Sequence, residues 1–154
     1  MSEEIRKLTG NDLQALAGLL RVYEVAFEMP NFVLPSADYL KYLLGNDYII
    51  FFCAFHEKEV VGGLTAYILP SAYNPATEVY IYDLAVTPSF QRRGVGRRLL
   101  EALKEYCRAK GYREIYVQAD RGDQHALDFY RATGGAPQSV VHFVYPLFGS
   151  ADNE

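Results

Sequence analysis

Two glycines and a group of arginines stand where a strand gives way to a helix. Gly94 and Gly96 follow Arg92 and Arg93, and the stretch that continues to Tyr106 has the apolar spacing of an amphipathic helix. The first N–H groups of a helix have no partner within it, and the peptide dipoles add positive potential there. Glycine lets a ligand approach this backbone, and arginine adds charge and forked donors. These residues predict a site for a phosphate or pyrophosphate group.

Three phosphate-binding patterns compete for this stretch. A P-loop ends in Gly-Lys-Ser/Thr, but here Arg97 and Arg98 follow Gly96, which argues against a nucleotide kinase. A dinucleotide-binding fingerprint needs a third glycine where this chain has Leu99. The third pattern is Gln/Arg-x-x-Gly-x-Gly/Ala behind a strand that ends in Ala-Val. Gln91 and the two glycines match it, and we interpret the stretch in this way.

The strand before this helix carries a second group of candidate residues, which are acidic and aromatic. On an ideal strand Glu78, Tyr80 and Tyr82 share one face, and Asp83 lies on the other. A bulge near Asp83 would break that alternation. Carboxylates in this region would attract a cationic substrate.

Composition limits the class of protein. A chain of 154 residues, half of them hydrophobic and 22% charged, is long enough for one globular domain with its own core. The formal net charge of −4 argues against a nucleic-acid partner and suits a cationic substrate. Cys53 and Cys107 lack the spacing of a metal or redox motif, which indicates free thiols in a reducing compartment. Because the N-terminus does not resemble a signal peptide and no apolar run has membrane-spanning length, we expect a cytoplasmic protein with no membrane partner.

Hydrophobic periodicity and turn residues predict the element order βααβββαβαβ. Ser36 is placed to cap the second helix and Asp123 the fourth. The order predicts an α/β (α+β) fold with a mixed sheet, and a single domain over residues 1–154. The predicted strands are EIRKL, YIIFFCAFH, VVGGLTAYIL, EVYIYDLAV, EIYVQA and QSVVHFVYPL, and the predicted helices are residues 12–27, ADYLKYLLG, the glycine–arginine helix that ends at residues 110–111, and QHALDFYRAT.

The chain resembles the GNAT superfamily of N-acetyltransferases, which use acetyl-coenzyme A. The stretch LAVTPSFQRRGVGRRLLEALKEYCRAKG carries the third phosphate pattern, and ALDFYRATGG is similar to the family's terminal A-x-x-F/L-Y-x-x-x-G segment. The order of elements also agrees, so the resemblance covers nearly the whole chain. It implies the GNAT fold, with a mostly antiparallel central sheet, helices on both faces, and a splay between the strands at 78–86 and 114–119.

Shorter segments are similar to the GNAT-type aminoglycoside 3-N-acetyltransferases, namely EVYIYDLAV, YVQADRGDQHALDFY and AYILP. The likeness implies acetyl-coenzyme A as co-substrate, no metal, and direct transfer to the 3-amino group of a gentamicin-type drug in a ternary complex. The implied partner is a small polycationic amine, and a homodimer is left open. Two alternatives also stay open: a polyamine or protein amine as the acceptor, or a non-catalytic sensor of acyl-coenzyme A.

The resemblance places the cofactor side of the site on the strand end, the loop and the start of the helix. Backbone N–H groups at the helix entry would surround the pyrophosphate, and the bulged strand end would pair with the pantetheine arm. A backbone N–H near Leu84 or Ala85 would hold the oxyanion. The implied cofactor-binding residues are Leu84, Ala85, Val86, Gln91, Arg92, Arg93, Gly94, Val95, Gly96 and, one turn later, Arg97.

The resemblance also implies catalytic and substrate-binding side chains. Tyr130 matches the tyrosine that protonates the departing thiolate. The family's usual carboxylate base falls at Tyr80, which leaves Asp83 or a chain of waters to take the proton of the amine. Asp120 and Asp123 are expected to bind ammonium groups at the cleft mouth, with a turn residue and a helix cap as the alternatives. The implied substrate-binding residues are Glu78, Tyr82, Asp83, Asp120 and Asp123.

Overall fold

The structure, a computed structural model, describes residues 2–73 and 75–149, and the chain falls into two compact units, residues 1–118 and 119–154. The predicted single domain over the whole chain stays a prediction. The first unit contains strands β1 (Glu4–Lys7), β2 (Ile49–His56), β3 (Glu59–Pro70), β4 (Thr77–Val86) and β5 (Glu114–Val117), with helices α1 (Leu13–Ala26), α2 (Ala37–Leu44) and α3 (Val95–Lys110), and the second contains α4 (Gln124–Ala132).

The five strands form one sheet in the order β1-β2-β3-β4-β5. Neighbouring strands are antiparallel except for the parallel pair β4 and β5, as the predicted mixed sheet requires. β4 and β5 pair only from Glu78 opposite Glu114 to Ile81 opposite Val117, and β4 continues to Val86 without β5. The predicted splay between these two strands is therefore confirmed.

The sheet is covered on both faces. Ile50 and Phe52 of β2 belong to the core cluster that contains α3, whereas Phe51 and Cys53 belong to the cluster that contains α1 and α2. Successive residues of a strand point to opposite faces, so a strand buried on both sides is apolar throughout. This explains the unbroken hydrophobic run in β2.

Local sequence signals set the ends of the helices. The Ser36 hydroxyl accepts a hydrogen bond from the Tyr39 N–H at 3.2 Å at the start of α2. The Asp123 carboxylate accepts one from the Ala126 N–H at 3.1 Å at the start of α4. Gly111 ends α3 with φ of 76°, a left-handed conformation that favours glycine. Both predicted caps are confirmed because they depend only on neighbours within four residues.

The predicted final strand, residues 138–147, is wrong. Residues 136–147 have neither strand nor helix conformation, and their large apolar side chains are exposed. Valine, phenylalanine and tyrosine favour strands, but a strand forms only where its backbone groups have a neighbouring strand to pair with. In the part of the chain that the structure describes, this segment belongs to no β-ladder. No helix in that part is long and apolar enough to cross a membrane.

Candidate active site

The start of α3 presents an open backbone. Gly94 is left-handed with φ of 80°, and Arg92 also has positive φ, 61°. The first backbone bond into α3 runs from the Arg98 N–H to the Gly94 carbonyl at 3.0 Å, so Val95 and Gly96 come before any such bond. Gly94 is exposed, and a Cβ built on it would have no atom within 4 Å. This geometry fits the binding of an anion at a helix N-terminus.

The loop before α3 is tied to the end of β4. The Gln91 side-chain amide donates a hydrogen bond to the Val86 carbonyl at 2.9 Å. The Thr87 N–H donates to the Val61 carbonyl on β3 at 2.8 Å. The side chain of Gln91 therefore positions the loop, and the predicted cofactor residues on β4 and on the loop are brought together at one end of the sheet.

The four arginines of this region have different surroundings. Arg98 donates through Nη2 to the Glu3 carboxylate at 2.6 Å and through Nη1 to the Glu3 carbonyl at 2.9 Å, and Arg93 lies 4.0 Å from the same carboxylate. Burial acts to raise the pKa of Glu3, but a backbone hydrogen bond and the two guanidinium groups outweigh it, so the pKa is lowered. Arg98 thus anchors α3 to the start of the chain, whereas Arg92 and Arg97 are exposed at the helix entry.

β4 contains the bulge that the resemblance implied. Thr65 of β3 lies opposite Asp83, but the next residue, Ala66, lies opposite Ile81. Tyr82 is therefore the extra residue on β4, and it has no partner in the register with β3. A bulge of this kind bends a strand and changes the direction of the side chains that follow.

The bulge changes which residues of β4 share a face. Ile81 before the bulge and Leu84 after it both pack with the cluster that contains α3, although they are three residues apart. Ala85 belongs to the opposite cluster. Because even and odd positions exchange faces at the bulge, Tyr80 and Asp83 lie on the same face, the one that α1 covers. The alternation of an ideal strand, which would put them on opposite faces, is broken by a bulge next to Asp83, as the sequence analysis allowed.

Asp83 is half-buried within a short chain of polar side chains. Burial raises the pKa of its carboxyl, and a hydrogen bond with the Thr65 hydroxyl opposes this only in part. The Thr65 hydroxyl also lies 2.9 Å from the hydroxyl of Tyr23, a buried residue of α1. A carboxylate with a raised pKa is a stronger base than an exposed one, so the surroundings of Asp83 suit proton abstraction.

A cluster of tyrosine rings lies on the part of the sheet that contains Asp83. The Tyr80 ring stacks on Tyr116 with centroids 4.9 Å apart, and it meets Tyr82 edge-on at 5.9 Å. Tyr67 of β3 meets Tyr82 at 5.7 Å, and the Tyr80 hydroxyl donates to the Gln118 side chain at 3.1 Å. Tyr82 is 63% exposed, so the cluster offers ring faces and edges to a ligand.

Glu78 lies on the same strand, at the end that pairs with β5. It is partly exposed and stands opposite Glu114 in the register of β4 and β5. Like charges directly opposite on neighbouring strands destabilise a sheet, so this pair contributes negative potential rather than stability.

The second unit contains the other three predicted site residues. The Asp123 N–H donates to the Asp120 carbonyl at 2.9 Å, and the Asp123 carboxylate caps α4. Asp120 is exposed in the turn before the cap. Tyr130 lies on α4, and burial, with a smaller effect of Asp123, raises the pKa of its phenol. The alternatives of turn residue and helix cap therefore describe Asp120 and Asp123, and their contact with substrate stays a prediction.

The open helix entry and the bulged strand β4 both lie in the part of the chain that matches a known protein family. The profile of the Acetyltransferase (GNAT) family matches residues 16–134 of this chain. The chain belongs to the GNAT family of acetyltransferases. This GNAT enzyme is therefore an N-acetyltransferase that uses acetyl-coenzyme A as co-substrate, and the family, fold and co-substrate inferred from the sequence are confirmed.

Aminoglycoside acetyltransferases are among the solved structures most similar to this GNAT enzyme. One, meta-AAC0020 from an uncultured soil metagenomic sample, is 43% identical in its complex with trehalose and 42% identical in its complex with sisomicin. Both comparisons have a TM-score of 0.92 and cover 95% of this chain and 97% of the other. HMB0005, also from an uncultured soil metagenomic sample, is 35% identical with a TM-score of 0.88, over 96% and 100% of the two chains. The uncharacterized N-acetyltransferase YhfO of Bacillus subtilis is 25% identical over 84% of this chain and 87% of its own.

Sequence reasoning missed four residues of this GNAT site. Thr65, Tyr67 and Tyr116 contact predicted residues of β4 from other strands, and Tyr23 of α1 contacts Thr65. Their positions depend on the register between strands, and only the turn between β2 and β3 is short enough to count a register from sequence. In residues 2–73 and 75–149, no group of three or more His, Cys, Asp and Glu side chains is arranged to hold a metal ion.

Asp83→Asn is expected to stabilise the GNAT enzyme at neutral pH. The pKa of Asp83 is raised above its ordinary value of 3.8, so the folded protein disfavours the ionised form. Ionising Asp83 in the folded protein costs stability. This cost is absent at pH values below the unfolded-state pKa and is complete above the folded-state pKa, so the stability of the wild type falls as pH rises between the two values. Asparagine keeps the acceptor for Thr65 without the charge. Thermal unfolding should show a higher Tm for the variant at neutral pH and no difference at pH below 3.8.

The control for this prediction is Asp120→Asn, which neutralises an exposed carboxylate in a turn. It should leave Tm at neutral pH close to that of the wild type. A loss of stability in Asp83→Asn at neutral pH would show that the carboxylate is favourably placed in the folded protein and would contradict its role as a destabilised base.

Proposed function

We propose that this GNAT enzyme acetylates aminoglycosides, and that the amine it modifies is the 3-amino group of a gentamicin-type deoxystreptamine ring. The observation that supports this most is the 42% identity, over 95% of the chain, to an aminoglycoside acetyltransferase whose structure holds sisomicin. The choice of the 3-amino group is supported by the likeness of EVYIYDLAV and YVQADRGDQHALDFY to the 3-N-acetyltransferases.

The acceptor surface has the chemistry that a polycationic sugar requires. Asp83 and Glu78 supply negative charge on β4, and the protein has a formal net charge of −4. The rings of Tyr80, Tyr82 and Tyr116 add aromatic faces, which attract ammonium groups and pack against sugar rings. A rigid substrate held at several points presents one amine to the reacting centre.

The residues at the start of α3 fit the pyrophosphate of acetyl-coenzyme A. The open space beside Gly94 and its left-handed backbone allow close approach, and Arg92 provides an exposed positive charge. When bound, acetyl-coenzyme A supplies an acetyl group activated as a thioester. Residues 91–96 hold the pyrophosphate, and the part of β4 after Ile81, which has no β5 partner, offers backbone groups to the pantetheine arm.

The remaining residues transfer protons and stabilise the negative charge that develops during the reaction. Asp83 accepts the proton of the attacking amine directly or through water, and Thr65 holds its carboxylate in place. A backbone N–H near Leu84 or Ala85, past the bulge, stabilises the oxyanion. Tyr130 gives its proton to the departing sulfur, and its phenol, whose pKa burial raises above the ordinary value of 10, is protonated at neutral pH. Transfer is direct and takes place in the cytoplasm.

The proposal is tested by measuring coenzyme A release with sisomicin, gentamicin, kanamycin, spermidine and a peptide with a free amino terminus, followed by NMR of the acetylated products. We expect kcat/KM for gentamicin to exceed that for spermidine by roughly a hundredfold or more, since positioned polar contacts discriminate strongly. We also expect the product to carry its acetyl group on the 3-amino nitrogen.

Other outcomes of this experiment identify the alternatives. Acetylation at the 6′ or 2′ amine would contradict the assigned position but not the class of acceptor. Faster turnover of spermidine or of the peptide would identify a polyamine or protein acetyltransferase. Binding of acetyl-coenzyme A without turnover of any amine would identify a sensor.

A further inference from the structure

A carboxylate that the proposed mechanism does not use lies buried beside the start of α3. It belongs to Glu3, the residue before β1, and its side chain is only 4% exposed. Glutamate is almost never buried to this degree unless it is paired. Its hydrogen-bond partner, Arg98, is 95 positions away along the chain. Folding therefore brings this negative charge to the helix entry from a distant part of the sequence.

Basic side chains from three parts of the first unit face this carboxylate. Arg98 of α3 donates to Oε1 of Glu3 at 2.6 Å and to the Glu3 carbonyl at 2.9 Å. Arg93 of the loop before α3 lies 4.0 Å from Oε2, and Nδ1 of His56, at the end of β2, lies 3.7 Å from the same oxygen. The Glu3 carboxylate thus connects β2, the loop and α3 at one point.

The ring of Phe90 adds a second connection to the same loop. The Arg93 guanidinium lies over this ring, 4.7 Å from its centroid, and the His56 ring lies 4.9 Å from it. Phe90 itself packs against the core cluster that contains α3. Arg93 is therefore held by a carboxylate and an aromatic ring, although about half of its side chain is exposed.

Four arginines lie within seven residues at the helix entry, and their charges repel one another. They are Arg92, Arg93, Arg97 and Arg98. Arg92 also has φ of 61°, a conformation that a residue with a side chain keeps only when its surroundings enforce it. The buried charge of Glu3 offsets the repulsion, and its contacts with the loop and α3 help to enforce this backbone.

We propose that Glu3 is a positioning residue for acetyl-coenzyme A, which holds Arg93 and Arg98 so that residues 91–96 are ordered before the pyrophosphate binds. This role rests on the proposal that residues 91–96 bind the pyrophosphate, but it is independent of which amine is acetylated. Without Glu3 a smaller fraction of the protein has the binding conformation, and the apparent affinity falls by the same factor. Loss of the negative charge alone would have the opposite effect, because it makes the site more positive.

Glu3→Gln removes the charge and keeps the size of the side chain. We expect the Kd for acetyl-coenzyme A, measured by calorimetric titration without an acceptor, to rise about tenfold. The kcat at saturating acetyl-coenzyme A, with the best amine of the panel above, should not fall, since the bound state restores the loop. The matched control is Glu4→Gln, which removes the same charge from the neighbouring, exposed glutamate of β1 and should leave the Kd unchanged.

Arg98→Lys tests the same contact from its other partner and stays informative if Glu3→Gln does not fold. Lysine keeps the charge but lacks the forked donors that bind the carboxylate and the carbonyl of Glu3 together. We expect a similar rise in Kd, and the double variant should bind about as well as either single one, because both changes remove one interaction. Amide exchange reports on the helix entry directly: the Arg98 N–H, which donates to the Gly94 carbonyl, should exchange faster in Glu3→Gln than in Glu4→Gln.

A separate variant, Gly94→Asp, distinguishes failure of the positioning role from failure of the pyrophosphate site, because it places a carboxylate at that site. If Gly94→Asp loses affinity while Glu3→Gln binds normally, the positioning role is overturned and the site stands. If Gly94→Asp binds normally, the pyrophosphate site itself is wrong. Tighter binding by Glu3→Gln, an equal loss in Glu4→Gln, or additive losses in the double variant would each overturn the positioning role.

Discussion

Gly94→Asp is expected to weaken acetyl-coenzyme A binding by roughly a thousandfold in a protein that stays folded. A Cβ on Gly94 meets no atom within 4 Å, so the new carboxylate has room to extend into the space beside the helix entry. Two like charges about 4 Å apart near a protein surface repel by about 4 kcal/mol, which corresponds to roughly 10³ in affinity. Calorimetric titration with acetyl-coenzyme A measures the loss.

Two variants separate this repulsion from backbone strain. Gly94→Asn introduces a side chain of the same size, tolerates positive φ, and carries no charge, so it should lose much less affinity. Gly111→Asp places aspartate at the left-handed glycine on the other end of α3, where a Cβ also has open space, and it should bind the cofactor normally. A folded Gly94→Asp protein with unchanged affinity would mean that the pyrophosphate binds elsewhere.

Tyr130→Phe is expected to lower kcat by roughly 10²–10⁴-fold, the usual contribution of a general acid. The departing thiolate would then have to leave without a proton. Burial and Asp123 raise the pKa of the phenol, so in the wild-type enzyme this group stays protonated up to at least its ordinary pKa of 10. Single-turnover rates at saturating substrates are the proper measure, because slow product release would hide part of the loss.

The control is Tyr106→Phe, which removes a hydroxyl from another tyrosine whose pKa burial raises, on α3 and outside the proposed site. It should keep wild-type turnover, and Tyr130→Phe should keep wild-type affinity for acetyl-coenzyme A. Near-normal single-turnover rates in Tyr130→Phe would show that this side chain only packs.

The parts of the fold that depend on neighbours along the chain could be predicted from the sequence. Ser36 and Asp123 cap helices because a short polar side chain reaches N–H groups three residues away. Gly94 and Gly111 mark the two ends of α3 because each adopts positive φ. The order of elements then allowed only a few sheets, and the family resemblance selected one that differs from the observed sheet in its final strand.

The parts that depend on strand register could not be predicted in this way. Nothing local shows that Tyr82 is the extra residue of the bulge, yet that one residue moves Asp83 to the face of Tyr80. The loop between β3 and β4 is too long to fix the register, so Thr65 and Tyr67 were missed. The prediction of a final strand over residues 138–147 failed for a related reason, since strand propensity does not specify a partner.

The two cysteines have a practical consequence for measurements on this protein. Both are buried, and burial raises the thiol pKa of Cys53 to about 12 and that of Cys107 to about 11. Thiolate is the reactive form, so at pH 8 only about one in 10³ or fewer of these groups can attack a disulfide colour reagent. Coenzyme A release can therefore be followed continuously against a nearly silent background. In the same cuvette, a slow rise toward two thiols per chain would report how often the native core opens.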